Sequence, residues 1–193
     1  MAEREERYWL PVVPRERARK LKIVNVHERC LPASADRVGQ LIDRLASADD
    51  RLWPGEPWPP LRFVRPLGVG AAGGHGPIRY FIEVYKPGQY LCCRFTAPKG
   101  FRGTHSFEVR GISAHSALLT HALVMDVAGI SRIAWPLLQG PLHDALIEMA
   151  LDRAEAYVAA KAEPTRRLSN RAKWLIRFVR WSFSNRWARR IWH

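Results

Sequence analysis

Two histidines, His105 and His121, stand where imidazole chemistry near neutral pH could be put to use, each inside a stretch of alternating apolar residues. Along Thr104 to Arg110, His105 shares a face with Phe107 and Val109, opposite Thr104, Ser106, Glu108 and Arg110. A strand period of two turns the first set inward. The same parity groups His121 with Leu119, Leu123 and Met125, Tyr80 with Ile78, Ile82 and Val84, and Cys93 with Leu91 and Phe95. The expected lining is apolar, with two imidazoles and a phenol. Such histidines can orient the polar group of a hydrophobic ligand, or act as general acid and base in a cyclisation or dehydration. A histidine on an apolar face is more often a hydrogen-bonded core residue, and Tyr80 can anchor a ligand through its hydroxyl or simply pack.

Other chemistries find less support. The histidines include His75, His105, His115, His121 and His143, but no pair has HxxxH spacing on a credible helix and no CxxC accompanies them. No metal and no cofactor are therefore expected. His143-Asp144 reads as the start of a helix, where an acid favours the positive end. The glycine run from Gly68 to Gly76 leads into Pro77 and a strand instead of opening a helix, so it fails the context of a dinucleotide fingerprint and reads as a flexible loop at a cavity mouth. No GxSxG or HExxH motif appears. Cys30 stands alone, and the neighbours Cys92 and Cys93 would point to opposite faces of a strand, so no disulfide framework is built.

The elements that must hold these residues follow from periodicity. Lys22 to Arg29 reads as a strand, and Ser34 is a candidate N-cap for a short helix with Val38, Leu41, Ile42 and Leu45 on one face. Trp53-Pro54-Gly55-Glu56-Pro57-Trp58-Pro59-Pro60 is too rich in proline for regular structure and makes a rigid aromatic loop. Four strands are expected at Ile78 to Tyr85, Tyr90 to Phe95, Thr104 to Arg110 and Ala117 to Met125, joined by turns such as Lys86-Pro87-Gly88-Gln89 into an antiparallel meander. After Gly129 the period becomes helical. Trp135, Leu142, Leu146 and Met149 then complete the cavity lining from a long C-terminal helix, broken near Gly140-Pro141 and ending before Pro164.

At 193 residues the chain has room for one core. Its formal charge is +13, and nine Arg and Lys with no acid fall from residue 164 onward. Three segments are expected: an arm over 1–21, a domain over 22–163 and a basic tail over 164–193. No stretch reaches the length of apolar residues that spans a bilayer, and Met1 is followed by charged residues, which points to the cytoplasm. In the tail, Arg177 and Arg180 belong to a narrow cationic stripe, with Trp174, Leu175, Phe178 and Trp181 on or beside a broad apolar face and Trp187 continuing the theme. That face suits an anionic membrane interface, or else packs on its own domain, a second subunit or a protein partner. Segregation of charge from tryptophan argues against a nucleic-acid groove.

The opening strand with Pro32-Ala33-Ser34, then Asp50-Arg51-Leu52-Trp53-Pro54, Gly74-His75-Gly76-Pro77-Ile78-Arg79-Tyr80, Pro87-Gly88, Gly103-Thr104-His105-Ser106-Phe107, His121 and Pro141-Leu142-His143-Asp144 together resemble bacterial members of the SRPBCC superfamily, which includes START and pollen-allergen-like proteins. The resemblance spans about residues 22 to 160. It implies an α+β helix-grip fold, in which a curved antiparallel sheet wraps a long C-terminal helix, here followed by a basic amphipathic helix. It also implies a cavity for an apolar partner such as a lipid or polyketide and, in some branches, cyclase, aromatase or dehydratase activity. It does not name one substrate.

Overall fold

The computed structural model describes residues 23–127 and 131–161, together with the helical positions 170, 173, 174 and 176. The arm over 1–21 and most of the tail, including Leu175, Arg177, Phe178, Arg180, Trp181 and Trp187, lie outside the described residues. Among the described residues, no helix is long and apolar enough to cross a membrane.

The expected strands form, with longer ends. β1 (Ile23–Leu31) is followed by α1 (Ala35–Asp43), whose cap Ser34 accepts a hydrogen bond from the Arg37 amide. β2 (Arg62–Phe63) and β3 (Ala72–His75) come next, then the long meander β4 (Ile78–Lys86), β5 (Tyr90–Ala97), β6 (Phe101–Ser113) and β7 (Ser116–Val127). All pairings are antiparallel, in the order β1-β7-β6-β5-β4-β3-β2, so the first and last strands are neighbours. The chain closes with α2 (Ser131–Ala134), a π-helical turn (Trp135–Gln139) and α3 (Gly140–Val158). The break expected near Gly140-Pro141 is this π turn, since proline supplies no amide to continue a regular ladder. This is the helix-grip architecture.

The glycine run corrects one expectation. It is not wholly a loop, because Ala72–His75 pairs with β4, with Gly74 opposite Arg79 and His75 opposite Ile78. Gly74 lies at φ +154°, and a Cβ there would meet the Ile78 carbonyl oxygen at 2.1 Å. Glycine is thus required by close backbone approach, which composition alone does not distinguish from flexibility.

α3 lies against the sheet by two adjoining faces. Leu146, Ile147, Ala150, Leu151, Ala154 and Val158 recur at helical spacing and enter the apolar core with Leu31, Val38, Leu41, Ile42, Leu52, Ile82 and Leu119. Beside them runs an acidic stripe of Asp144, Glu148, Asp152 and Glu155, which meets the inward face of β1. There Asn25 donates to Asp144 Oδ1 (2.8 Å), and Arg29 reaches Asp152 Oδ1 (2.8 Å), Glu155 Oε2 (2.8 Å) and Glu148 Oε2 (3.0 Å). β1 therefore turns its polar residues inward, while Val24 and Val26 are 66% and 50% exposed. Asp144 accordingly serves β1 and not the helix terminus, whose first turn carries no acid.

Burial works against the Arg29 charge, but its hydrogen bonds to Glu155 and Asp152 and the nearby charge of Glu148 prevail and hold its pKa above the ordinary guanidinium value. Replacing it leaves three carboxylates converging on an empty place. Arg29→Met should reduce stability by about 1–3 kcal/mol, between the exposed and the fully buried case. The effect is read as an earlier urea midpoint at unchanged m value; an unmoved midpoint would show that α3 docks without the guanidinium.

Candidate functional site

Between the sheet and α3 the core is incomplete. A cavity of ≈ 340 Å³ remains, at the low end of the roughly 300–1,000 Å³ usual for small-molecule sites. From the sequence-predicted set, Ile78, Tyr80, Leu91, Cys93, Phe95, His105, Phe107, His121, Leu123, Trp135, Leu142 and Leu146 line it. Ile82, Leu119, Met125 and Met149 do not. The first three are sealed in the packed interior, and Met149 accepts a contact from the Trp58 indole N–H at 3.3 Å. Alternation assigns a side of the sheet but does not say where along the strand packing ends and the void begins.

Several wall residues escape the alternation argument because they come from the proline-rich loop or from a strand hidden in the glycine run. Trp53, Trp58 and Pro59 belong to the proline-rich loop, and His75 comes from β3. The loop is pinned at its start by Asp50, whose carboxylate accepts from the amides of Ala46, Leu52 and Trp53 at 2.7–2.8 Å. It is closed by the Trp53 indole N–H on the Pro59 carbonyl (3.0 Å) and tied to α3 through Arg153, which donates to the Trp53 carbonyl. The sequence marked this loop as rigid and aromatic; its place over the cavity needed the tertiary contacts.

The polar groups of the wall form a continuous file. Trp53 and His75 have ring centroids 4.7 Å apart, His75 and Tyr80 6.1 Å, Tyr80 and His105 4.6 Å, His105 and His121 5.9 Å, and His121 and His143 5.1 Å. Phe95 stacks on His105 at 5.1 Å, and Phe107 meets His121 edge-on at 4.8 Å. Thus β3, β4, β6, β7 and α3 each contribute one group. Register makes this possible: Tyr80 pairs with Phe95, Cys93 with His105, and Phe107 with His121 across adjacent strands.

This apolar setting keeps the file neutral. Desolvation pushes His75 and His105 down to about 3, with the other histidines adding repulsion, and it holds His121 well below the ordinary imidazole range. The His143 pKa is lowered by the same burial, against the pull of Asp144. Burial also raises the Tyr80 phenol well above its usual value. His105 Nε2, His121 Nδ1 and His143 Nδ1 are buried without a hydrogen-bond partner. Unprotonated imidazoles with an unsatisfied nitrogen can accept a proton or a hydrogen bond, and the protonated phenol beside them can donate one.

His27, to which the sequence gave no role, lies on the far side of His143, with ring centroids 6.0 Å apart. Its Nδ1 faces Glu148 Oε1 at 2.8 Å and its Nε2 faces Asp144 Oδ1 at 3.2 Å. Interaction with His143, with Asn25 and His27 assisting, brings the Asp144 carboxyl down to about 2 despite burial. From the tail, Ile176 is 4% exposed and lines the cavity, whereas Trp174 is 63% exposed.

No protein-family description matches the chain, and no curated protein matches it. Solved structures do. Norcoclaurine synthase from Thalictrum flavum in complex with dopamine and hydroxybenzaldehyde is 20% identical, covering 72% of this chain and 88% of that one with a TM-score of 0.54. CalU16 from Micromonospora echinospora is 12% identical, over 83% and 86%, with a TM-score of 0.53. A protein from Thermobifida fusca studied in solution is 14% identical, over 75% and 99%, with a TM-score of 0.57. At these identities the likeness is one of fold, and it bears out the helix-grip architecture implied by the sequence resemblance.

Because the buried imidazoles resist protonation, their folded pKa values lie below the roughly 6.5 of the unfolded chain. The unfolded state then binds more protons below that pH, and stability falls as pH drops from about 6.5 toward 3, with up to about 1.4 kcal/mol per pH unit for each histidine. Urea midpoints should decline steadily between pH 7 and 4.5, and His105→Phe should flatten the slope by about one proton. A midpoint independent of pH across that window would mean that the histidines protonate freely.

Proposed function

We propose that the chain binds a hydrophobic small molecule carrying at least one hydrogen-bonding group, held in the cavity between the sheet and α3. The observation that carries this reading is the pair of unpartnered nitrogens, His105 Nε2 and His121 Nδ1, in a wall otherwise built of apolar and aromatic side chains. An orphaned buried acceptor or donor costs about 1–3 kcal/mol, so a hydroxyl or carbonyl brought in by a ligand relieves a penalty already present in the empty protein. The aromatic walls of Trp53, Phe95, Phe101 and Trp135 favour a flat or ring-containing body. One structural neighbour holds dopamine and hydroxybenzaldehyde, small aromatics with polar substituents, and the class proposed for this chain is of that kind.

A second reading, catalysis of a cyclisation or dehydration, draws on one further observation: the neutral His105 imidazole and the protonated Tyr80 phenol stand 4.6 Å apart, a base and an acid on one wall. For the tail, residues 164–193 are read as a contact segment for an anionic membrane surface or a protein partner, with Ile176 returning to the domain.

Native mass spectrometry of the gently purified full-length chain, with organic extraction of what it carries, tests the binding reading. A stoichiometric aromatic or lipid-like molecule is expected; a ligand-free chain that also binds no apolar fluorophore would overturn it. With the ligand known, His105→Phe and His121→Leu together should weaken binding about tenfold per lost hydrogen bond if the chain is a carrier. The same pair should abolish turnover with lesser change in affinity if it is an enzyme. Separately, the full chain should sediment with vesicles containing phosphatidylserine and a chain ending at residue 163 should not. Equal sedimentation of both would rule out the tail as the membrane contact.

A further inference from the structure

The sequence offers no metal motif, yet the fold assembles one at the edge of the cavity. His27 from β1 and His143 and Asp144 from α3 each offer one ligand atom, and the three atoms lie within 4.8 Å of one another. His27 and Asp144 are 117 positions apart in the chain, which is why no local spacing betrays them. We propose that these three side chains hold a divalent transition-metal ion of the zinc class, with a coordination position left open beside the cavity.

Distances support this first. Asp144 Oδ1 is 3.2 Å from His27 Nε2 and 3.7 Å from His143 Nδ1. Around a tetrahedral ion with bonds of about 2.0–2.1 Å, neighbouring donors stand about 3.4 Å apart. The two separations bracket that value, and the third donor pair is within 4.8 Å.

The surrounding contacts fix the donors as ligands. His27 Nδ1 faces Glu148 Oε1 at 2.8 Å, and Glu148 is itself held by Arg29 at 3.0 Å. With Nδ1–H donating to that carboxylate, Nε2 turns its lone pair toward Asp144 Oδ1. This is the carboxylate–histidine–metal arrangement, in which an outer carboxylate sets tautomer and ring orientation. Asn25 donates to Asp144 Oδ1 at 2.8 Å and fixes it in turn.

Two acceptors facing each other at 3.2 Å call for a positive charge between them, and a proton on His27 Nε2 would serve as well as a metal ion. His143 decides between the two. Its Nδ1 is buried without a hydrogen-bond partner, and a proton on His27 leaves it so, whereas a metal ion takes up all three lone pairs together. The donor set also selects the ion. Two imidazoles and one carboxylate suit zinc and its first-row neighbours, while calcium and magnesium want cages of oxygen. Since His143 also lines the cavity, water or the oxygen of a cavity ligand can complete the coordination. The inference stands apart from the ligand reading, because metal binding is measured with no cavity ligand added.

The untagged full-length chain, stripped with a chelator, is titrated with cobalt(II) and then zinc(II). One cobalt per chain with the visible d–d bands of a four-coordinate site is expected, displaced by one zinc. His143→Gln and Asp144→Asn should each weaken binding at least tenfold, while His115→Ala, at an exposed position, should leave it unchanged. Long-range proton–nitrogen correlation spectra of the wild-type imidazoles give a reading that needs no variant: zinc should shift His27 Nε2 and His143 Nδ1. Cobalt without d–d bands, equal affinity in the two site variants, or unmoved nitrogens would each overturn the proposal and leave a proton between His27 and Asp144.

Discussion

The architecture rests on the seam between β1 and α3. A strand whose inward residues are Asn25, His27 and Arg29 can be covered only by a surface that supplies acceptors, and α3 offers Asp144, Glu148, Asp152 and Glu155 as a stripe one helical turn apart. Ionic contacts in such a partly wet seam contribute modestly one by one, but the arrangement is specific. A shift of α3 along β1 would take the carboxylates past Asn25 and His27 and strand the Arg29 guanidinium. The seam thereby sets the height and rotation of the helix, while the adjoining apolar face makes the bulk of the burial.

A helix held at one edge by polar contacts need not settle fully onto the sheet. Opposite the seam, the surface formed by β4, β5 and β6 stands off from α3, the Trp53–Pro60 segment bridges to the helix through Arg153 and Met149, and the remaining void is lined by aromatic rings and imidazoles. Desolvation then shapes the chemistry of the wall. It keeps His75, His105 and His121 neutral and Tyr80 protonated, so that the cavity carries hydrogen-bonding capacity and no charge. The acidic stripe belongs to the seam, and His143 lies between the two regions, with one ring serving the cavity lining and the acidic stripe alike.

The extent to which this could be read beforehand differs by element. Alternation along the strands carrying Tyr80, Cys93, His105 and His121 sets those four on the cavity wall, but β4 carries a bulge between Ile82 and Val84, beyond which Tyr85 and not Val84 packs on the core. β1 alternates in burial, but the set it turns inward is polar, because its cover is the acidic stripe of α3 and not an apolar face. β3 hid in a glycine run that looked like loop, and Asp144 looked like a helix-end acid because its true partners lie on the first strand.

From sequence alone, then, followed what depends on neighbours a few residues away: the strand and helix periods, the Ser34 cap, the proline-stiffened aromatic loop and the helix-grip order. Tertiary structure alone decided which inward residues border a void and which are sealed, that Trp53, Trp58 and His75 join the wall, and that His27 meets His143 and Asp144. The physical reason is range. Periodicity reports the face of an element, but a cavity and a cluster of donors are properties of the gap between elements, set by how far the β1 seam lets α3 approach the sheet.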